Sequence, residues 1–256
     1  MIVLDLQKSA NDISQFIFDT LESSGMRKII VALSGGVDSA LSATLASQLL
    51  GKDQLYIVML PNADLHPASV TDAKLVIEKL QIPSDQVHVI DIAPSVEKIV
   101  ENIYGIDEMR KGNVMARVRM TYLFDLAKKL GALVCGTENK TEYHLGYFTR
   151  FGDEASDIEP IRGLYKTQVW ELASYLGVPE AIVTKAPTAG LWDGQTDEGE
   201  LGFSYKEADV VLYYYIEEKL NLGQIVAKGI SVEVASKVIE RVVRNEFKHH
   251  LPKVFR

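Results

Sequence analysis

Residues 28–40 read Lys-Ile-Ile-Val-Ala-Leu-Ser-Gly-Gly-Val-Asp-Ser-Ala, and this stretch constrains the fold more than any other. Residues 29–33 are a short apolar, β-branched run, the pattern of a strand buried on both faces of a parallel sheet. Ser34-Gly35-Gly36 ends the run, and Leu41, Thr44, Leu45 and Leu49 follow at helical spacing. A strand that turns through two glycines into a helix N-terminus builds an anion site. The glycines let the backbone approach a phosphate, and the unpaired N–H groups with the helix dipole hold its charge. Ser34 and Ser39 add hydroxyls. Asp38 is an anion where phosphate belongs, which is tolerable only with a cation between them, so it reads as a Mg²⁺ ligand. No Gly-Lys-Ser/Thr follows, so this is not a Walker loop, and the glycines do not flank a serine as in a nucleophile elbow.

Composition narrows the class. With 256 residues, 47% hydrophobic and 24% charged, the chain is expected to form one large domain over residues 1–256. A net charge of −8 argues against a nucleic-acid partner held on a broad basic surface. The single Cys135 excludes a disulfide framework and a cysteine zinc site, and fits a reducing cytoplasm. Its setting, Ala-Leu-Val-Cys-Gly, is that of a buried strand thiol. No apolar run approaches membrane-spanning length and no signal layout opens the chain, so no membrane partner is expected.

Helical patterns over residues 5–24, 68–80, 96–103 and 108–130, the last open to a break near Gly112, alternate with strand patterns over 55–60, 87–92 and 132–135. The economical architecture is α/β, a doubly wound parallel sheet with helices on both faces. Ligands of such sheets bind at strand carboxyl ends where the strand order reverses, which places the loops after Leu33 and Cys135 on one edge. Beyond Gly136 the chain turns irregular, then helical over 167–176, 205–220 and 232–247. Residues 151–158 and 188–202, polar and glycine-rich, read as mobile lids. The run Tyr213-Tyr214-Tyr215 reads as helix packing.

Three further stretches carry chemistry. Gly136-Thr137-Glu138-Asn139-Lys140-Thr141-Glu142 shares the edge of the phosphate loop. Thr137 can bond a nucleotide, and a carboxylate here could join Asp38 around Mg²⁺, whose preference is for oxygen ligands. Spacing does not choose between Glu138 and Glu142. Arg117 and Arg119 lie on an otherwise apolar helix and need anions unless they snorkel to solvent. Lys166 precedes a helix, a position suited to triphosphate and not to the dipole. His66, His88, His144, His249 and His250 are scattered or terminal and read as surface or packing residues.

The Ser-Gly-Gly-Val-Asp-Ser pattern resembles the pyrophosphate loop of the ATP pyrophosphatases. Segments 34–39, 112–120, 136–142, 146–153, 159–166 and 186–189, with the closing Glu246-Phe247-Lys248, together resemble the ammonia-dependent NAD synthetases from about Gly25 to the C-terminus. Gly-Asn-Val-Met-Ala-Arg and Gly-Tyr-Phe-Thr-Arg-Phe-Gly-Asp are the specific parts of the likeness.

The resemblance implies an adenine nucleotide alpha hydrolase-like fold with a helical C-terminal part. It implies that Ala32, Leu33, Ser34, Gly35, Gly36, Val37, Asp38 and Ser39 bind ATP phosphates. Thr137, Lys166 and Thr188 match the family's other ATP contacts, and Asp38 and Glu142 would hold Mg²⁺. Asp38 and Lys166 would be the catalytic pair. Arg117, Arg150, Asp157 and Lys248 fall where the family contacts deamido-NAD, near the interface of a homodimer. The chain departs from the family at Arg150 (often Lys), Ala155-Ser156 (Gly-Gly) and Phe247 (His).

The implied reaction joins ATP, deamido-NAD and ammonia, with free ammonia the nitrogen source because the chain has no room for a glutaminase domain. Rivals are another ATP pyrophosphatase, such as a GMP synthetase subunit or a tRNA-thiolating enzyme, and a nucleotide sensor without turnover.

Overall fold

Ile29, Ile30 and Val31 are wholly buried, and the strand they form, β1 (Lys28–Ala32), lies inside the sheet as its apolar run requires. In the computed structural model, which describes residues 3–51, 53–62, 67–192, 194–250 and 254–255, α1 (Leu6–Ser24) precedes β1 and α2 (Val37–Leu49) follows it. Then come β2 (Leu55–Met59), α3 (Pro67–Leu80), β3 (Val87–Val89), α4 (Ala93–Val100), α5 (Glu108–Leu130) and β4 (Ala132–Cys135). His66 lies outside the described residues, as does Asp193 within the expected second lid.

The four strands are parallel in the order β3-β2-β1-β4. Ile29 pairs with Leu55 on one side and Leu133 on the other. The order reverses at β1, which brings the turns after β1 and β4 side by side. Period-two alternation divides the core. Ile29, Val31 and Ile57 pack against α1, α2 and α3 with Leu21, Leu41, Leu45 and Val76. Ile30, Val58 and Val134 face α4 and α5 through Val96, Met115, Val118 and Leu126.

α5 runs unbroken through Gly112, correcting the suspected break. A Cβ there would lie 2.9 Å from the Leu191 side chain, so glycine serves close approach and not a kink. Asp107 caps the helix by accepting the Arg110 N–H at 2.8 Å.

Beyond β4 come α6 (Lys140–Leu145), α7 (Lys166–Tyr175), α8 (Glu180–Val183), α9 (Asp197–Leu201), α10 (Tyr205–Leu212), α11 (Leu222–Val226) and α12 (Val232–Asn245). Leu145, Leu201, Tyr205, Val211, Leu212, Ile225 and Val238 form a third apolar cluster. The helix expected over 205–220 stops at Leu212 and widens into a π turn, Tyr213–Glu217, whose tyrosines pack partly buried on that cluster. Cys135 is buried, and burial pushes its thiol far above the usual range. Among the described residues no helix is long and apolar enough to cross a membrane.

Candidate active site

The turn from β1 into α2 is a braced cradle. Gly35 has φ 81°, and a Cβ on it would lie 2.3 Å from the Ser69 carbonyl oxygen, so no other residue fits. The serine hydroxyls hold the turn itself. Ser39 Oγ accepts the Ser34 N–H at 3.2 Å and donates to the Gly36 carbonyl at 3.0 Å. Ser34 Oγ accepts the Gly36 N–H at 3.3 Å.

Asp38, in the first turn of α2, reaches the turn after β4. Its Oδ1 accepts Asn139 Nδ2 at 2.9 Å and its Oδ2 accepts Lys166 Nζ at 2.6 Å. The same ammonium donates to Glu142 Oε1 at 3.1 Å. Asn139 also caps α6, its Oδ1 accepting the Glu142 N–H at 2.9 Å, so one buried amide orients both carboxylates. Lys166 is only 2% exposed. Burial disfavours its charge, yet the Asp38 and Glu142 carboxylates outweigh that and hold its pKa above the ordinary value. Glu142 is pushed up to about 7: burial raises it most, Asp38 and Asp197 add to the rise, and Lys166 offsets only part. One ammonium between these acids leaves the site short of positive charge.

A second layer joins the polar segment to this cluster. The Tyr205 hydroxyl, fully buried, donates to Asp197 Oδ2 at 2.9 Å and lies 3.3 Å from Glu142 Oε1. Asp197 Oδ1 accepts the Ala189 N–H at 2.9 Å and the Tyr147 hydroxyl at 3.1 Å. Thr188 Oγ1 donates to the Gln195 carbonyl at 2.8 Å. The residues expected to form a loose lid are tied by buried, satisfied polar groups, Gln195 and Asp197 among them.

All eight residues from Ala32 to Ser39 line one cleft of about 650 Å³, together with Thr137, Glu142, Lys166, Thr188 and Lys248. Arg117, Arg150 and Asp157 do not line it. Arg117 is exposed and donates from Nη2 to the Arg150 carbonyl at 3.2 Å. The Arg150 guanidinium lies 4.8 Å from the Phe151 ring centre and donates to the His250 carbonyl. Asp157 Oδ2 accepts the Val134 N–H at 2.7 Å, beside β4. Lys248 donates to the Gly146 and Phe148 carbonyls at 2.7 and 2.8 Å. Of Arg117 and Arg119, the second faces the cleft, its Nε donating to the Leu60 carbonyl at 3.1 Å.

Among the described residues no group of three or more His, Cys, Asp or Glu side chains is arranged to hold a metal ion. The Asp38–Glu142 pair supplies two carboxylates. Sequence reasoning passed over Asn139, Asp197 and Tyr205. Asn139 carried a signal, a cap residue directly before α6, whereas Asp197 and Tyr205 are brought in by packing alone.

Comparison with known proteins gives the family. Residues 9–252 match the NAD synthase family. The chain is 41% identical over 249 residues to an NH(3)-dependent NAD(+) synthetase of Fusobacterium nucleatum, covering 97% of this chain and 95% of that one. It is 44% identical over 253 residues to the corresponding protein of Methanosarcina mazei, covering 98% of each. Two solved structures superpose over nearly the whole chain. An NMN synthetase from Francisella tularensis gives a TM-score of 0.86 at 33% identity, covering 98% of this chain and 99% of that one. An NH3-dependent NAD synthetase from Campylobacter jejuni gives 0.85 at 27%, covering 99% and 100%. With a family match running from α1 past α12 and relatives 41% and 44% identical over nearly the whole length, the chain belongs to the NAD synthase family.

Proposed function

We propose that the chain is an ammonia-dependent NAD synthetase, which amidates deamido-NAD with ATP. The observation that carries this reading is Lys166 Nζ held between Asp38, beside the phosphate turn, and Glu142, from the neighbouring strand end. A carboxylate cannot become an amide in water without activation, because its oxygen is a very poor leaving group. The nicotinate carboxylate attacks the α-phosphorus of ATP, a P–O bond to the β-phosphate breaks, and pyrophosphate leaves. Ammonia then attacks the acyl carbon, the C–O bond to AMP breaks, a proton is released and NAD results.

The protein's part is positioning and charge stabilisation. The backbone amides of residues 34–39 at the start of α2 receive phosphate oxygens. Lys166 sits where charge develops on the departing pyrophosphate. Asp38 and Glu142 fit Mg²⁺: both offer oxygen, and both already reach one cation. When bound, that ion would neutralise phosphate oxygens.

Relatives matched over 95% and 98% of their own length are named for ammonia, which supports free ammonia as donor. Arg117 and Arg150, outside the cleft, suit a dinucleotide that extends past its mouth toward a homodimer interface. The buried, unpaired Cys135 suits a cytoplasmic setting. The likeness to an NMN synthetase adds a second reading, in which a deamido mononucleotide supplies the carboxylate that is amidated.

One assay tests both. The chain is incubated with ATP, Mg²⁺, ammonium and either deamido-NAD or deamido-NMN, and amide product and pyrophosphate are followed. NAD and pyrophosphate are expected in equal amounts with the dinucleotide. Pyrophosphate no higher than in the ATP-only control would overturn the amidation reading, and turnover of the mononucleotide alone would replace the substrate.

A further inference from the structure

α12 packs its apolar side into the C-terminal cluster through Ala235, Val238 and Val242. The edge beside that stripe brings Arg241, Arg244 and Asn245 to the cleft, with Lys248 just beyond the helix end. Spacings of three, four and seven place them on one face. Two of the four have partners. Asn245 Nδ2 donates to the Leu145 carbonyl at 2.8 Å, and Lys248 donates to two carbonyls.

Neither Arg241, half-buried, nor Arg244, exposed, forms an ion pair or hydrogen bond with a described residue. The Arg241 guanidinium lies 5.3 Å from the Tyr147 ring centre, and its Nε is buried without an acceptor. Burial lowers its pKa most; the Glu200 carboxylate draws it back up in part, and repulsion from Arg244 adds a smaller push downward. Glu200 is engaged elsewhere, its Oε2 accepting the Tyr147 hydroxyl at 3.0 Å and Gln195 Nε2 at 3.1 Å. Lys248 adds to the repulsion. A guanidinium stays charged, so a desolvated one among like charges calls for an oxyanion, and its planar fork suits phosphate. The phosphate turn with Lys166 forms a different part of the cleft and does not supply that anion.

We infer that Arg241 and Arg244 form a second anion subsite on the α12 wall of the cleft, taking a phosphate-class oxyanion of the ligand bound there. The identity of that ligand rests on the amidation reading. The phosphate belongs either to the diphosphate of the dinucleotide or to the pyrophosphate that ATP gives up.

The test uses the full chain as wild type, Arg241→Gln, Arg244→Gln and the double variant, with melting temperatures measured alongside. Inorganic pyrophosphate is titrated calorimetrically, and KM is measured for ATP and for deamido-NAD. Pyrophosphate affinity is expected to fall about tenfold or more in the double variant. A rise in KM for deamido-NAD with KM for ATP unchanged assigns the subsite to the dinucleotide. A rise in KM for ATP with that for deamido-NAD unchanged assigns it to the departing pyrophosphate. Unchanged affinity and unchanged KM values overturn the subsite. Should the glutamine variants melt early, Arg241→Lys keeps stem and charge: pyrophosphate affinity nearer wild type than in Arg241→Gln supports the subsite, and equal loss overturns it. A wild type that makes no amide, but whose pyrophosphate binding still depends on these arginines, keeps the subsite and removes the amidation reading.

Discussion

Lys166 is held by carboxylates from the first turns of α2 and α6, which meet only because β1 and β4 are neighbours. Removing its charge leaves Asp38 and Glu142 facing each other and, on the proposed mechanism, leaves the departing pyrophosphate without an amine. Lys166→Met is expected to lower kcat about 100- to 1,000-fold, the usual loss for a preorganised charge partner. Steady-state kinetics with a melting curve checks this, and a kcat within a few-fold of wild type would remove Lys166 from the chemistry. A different acid sets a pH dependence away from the cleft. Glu138 is 5% exposed, and Arg162 Nη2 lies 2.7 Å from its Oε2 and 3.1 Å from Glu159 Oε1, one cation between two carboxylates. Burial pushes Glu138 up to about 9; Arg162 draws it back in part, and Glu159 adds to the rise. The folded chain therefore keeps a proton that the unfolded chain releases near the ordinary value of 4.5. Its contribution is fully present below that value and is lost as pH rises toward 9. Glu138→Gln is expected to flatten the fall in melting temperature between pH 5 and 9, and an unchanged slope would show Glu138 ionised throughout.

At the scale of elements, α6, α7 and α10 are joined by one buried acid. Asp209 Oδ1 accepts the Thr141 hydroxyl, and Oδ2 accepts the Thr167 N–H at 2.8 Å. Thr141 Oγ1 in turn accepts the Lys166 N–H at 2.9 Å, so Asp209 sets where the first turn of α7 places Lys166. Asp209→Ala leaves these donors buried without acceptors and is expected to cost about 2–4 kcal/mol. For a chain of this size that lowers the melting temperature by about 5–15 °C, with kcat falling as well. Asp209→Asn, which can still accept from Thr167, should recover part of both, and equal losses in the two variants would show the carboxylate charge, not the bonding, to matter. None of this was legible in the sequence, because Asp209 sits in an ordinary helical pattern and its partners are distant in the chain. What was legible rests on periodicity. The 108–130 helix and the 132–135 strand were placed at their observed bounds. α6 was missed because six residues are too few for a period. The ties within 188–202 left no signal for a related reason: Gln195 and Asp197 are buried through hydrogen bonds, which leave no apolar signature.

Over the whole molecule, the cleft lies between the sheet and the C-terminal helices, and its chemistry needs both held in register. The sheet's contribution was readable from the apolar run and the two glycines of the phosphate turn. The helices' contribution was not, since Arg241 reaches the cleft, and Tyr205 reaches Glu142, only through tertiary packing. Trp170 on α7 joins the two parts. Partly buried, it packs against the cluster under α1 and α2 and also against the C-terminal cluster, meeting Tyr205 edge-on at 6.1 Å between ring centres. With α7 shared by both cores, the sheet and the helical part are expected to unfold together. The chain has only two tryptophans, so Trp192→Phe leaves Trp170 as the sole indole reporter at the junction. In urea, its fluorescence and the far-ultraviolet circular dichroism should trace one transition with one midpoint. A fluorescence midpoint clearly below that of circular dichroism would show the helical part detaching first. The register of Lys166, Glu142 and Asp38 would then depend on a docking equilibrium instead of one cooperative fold.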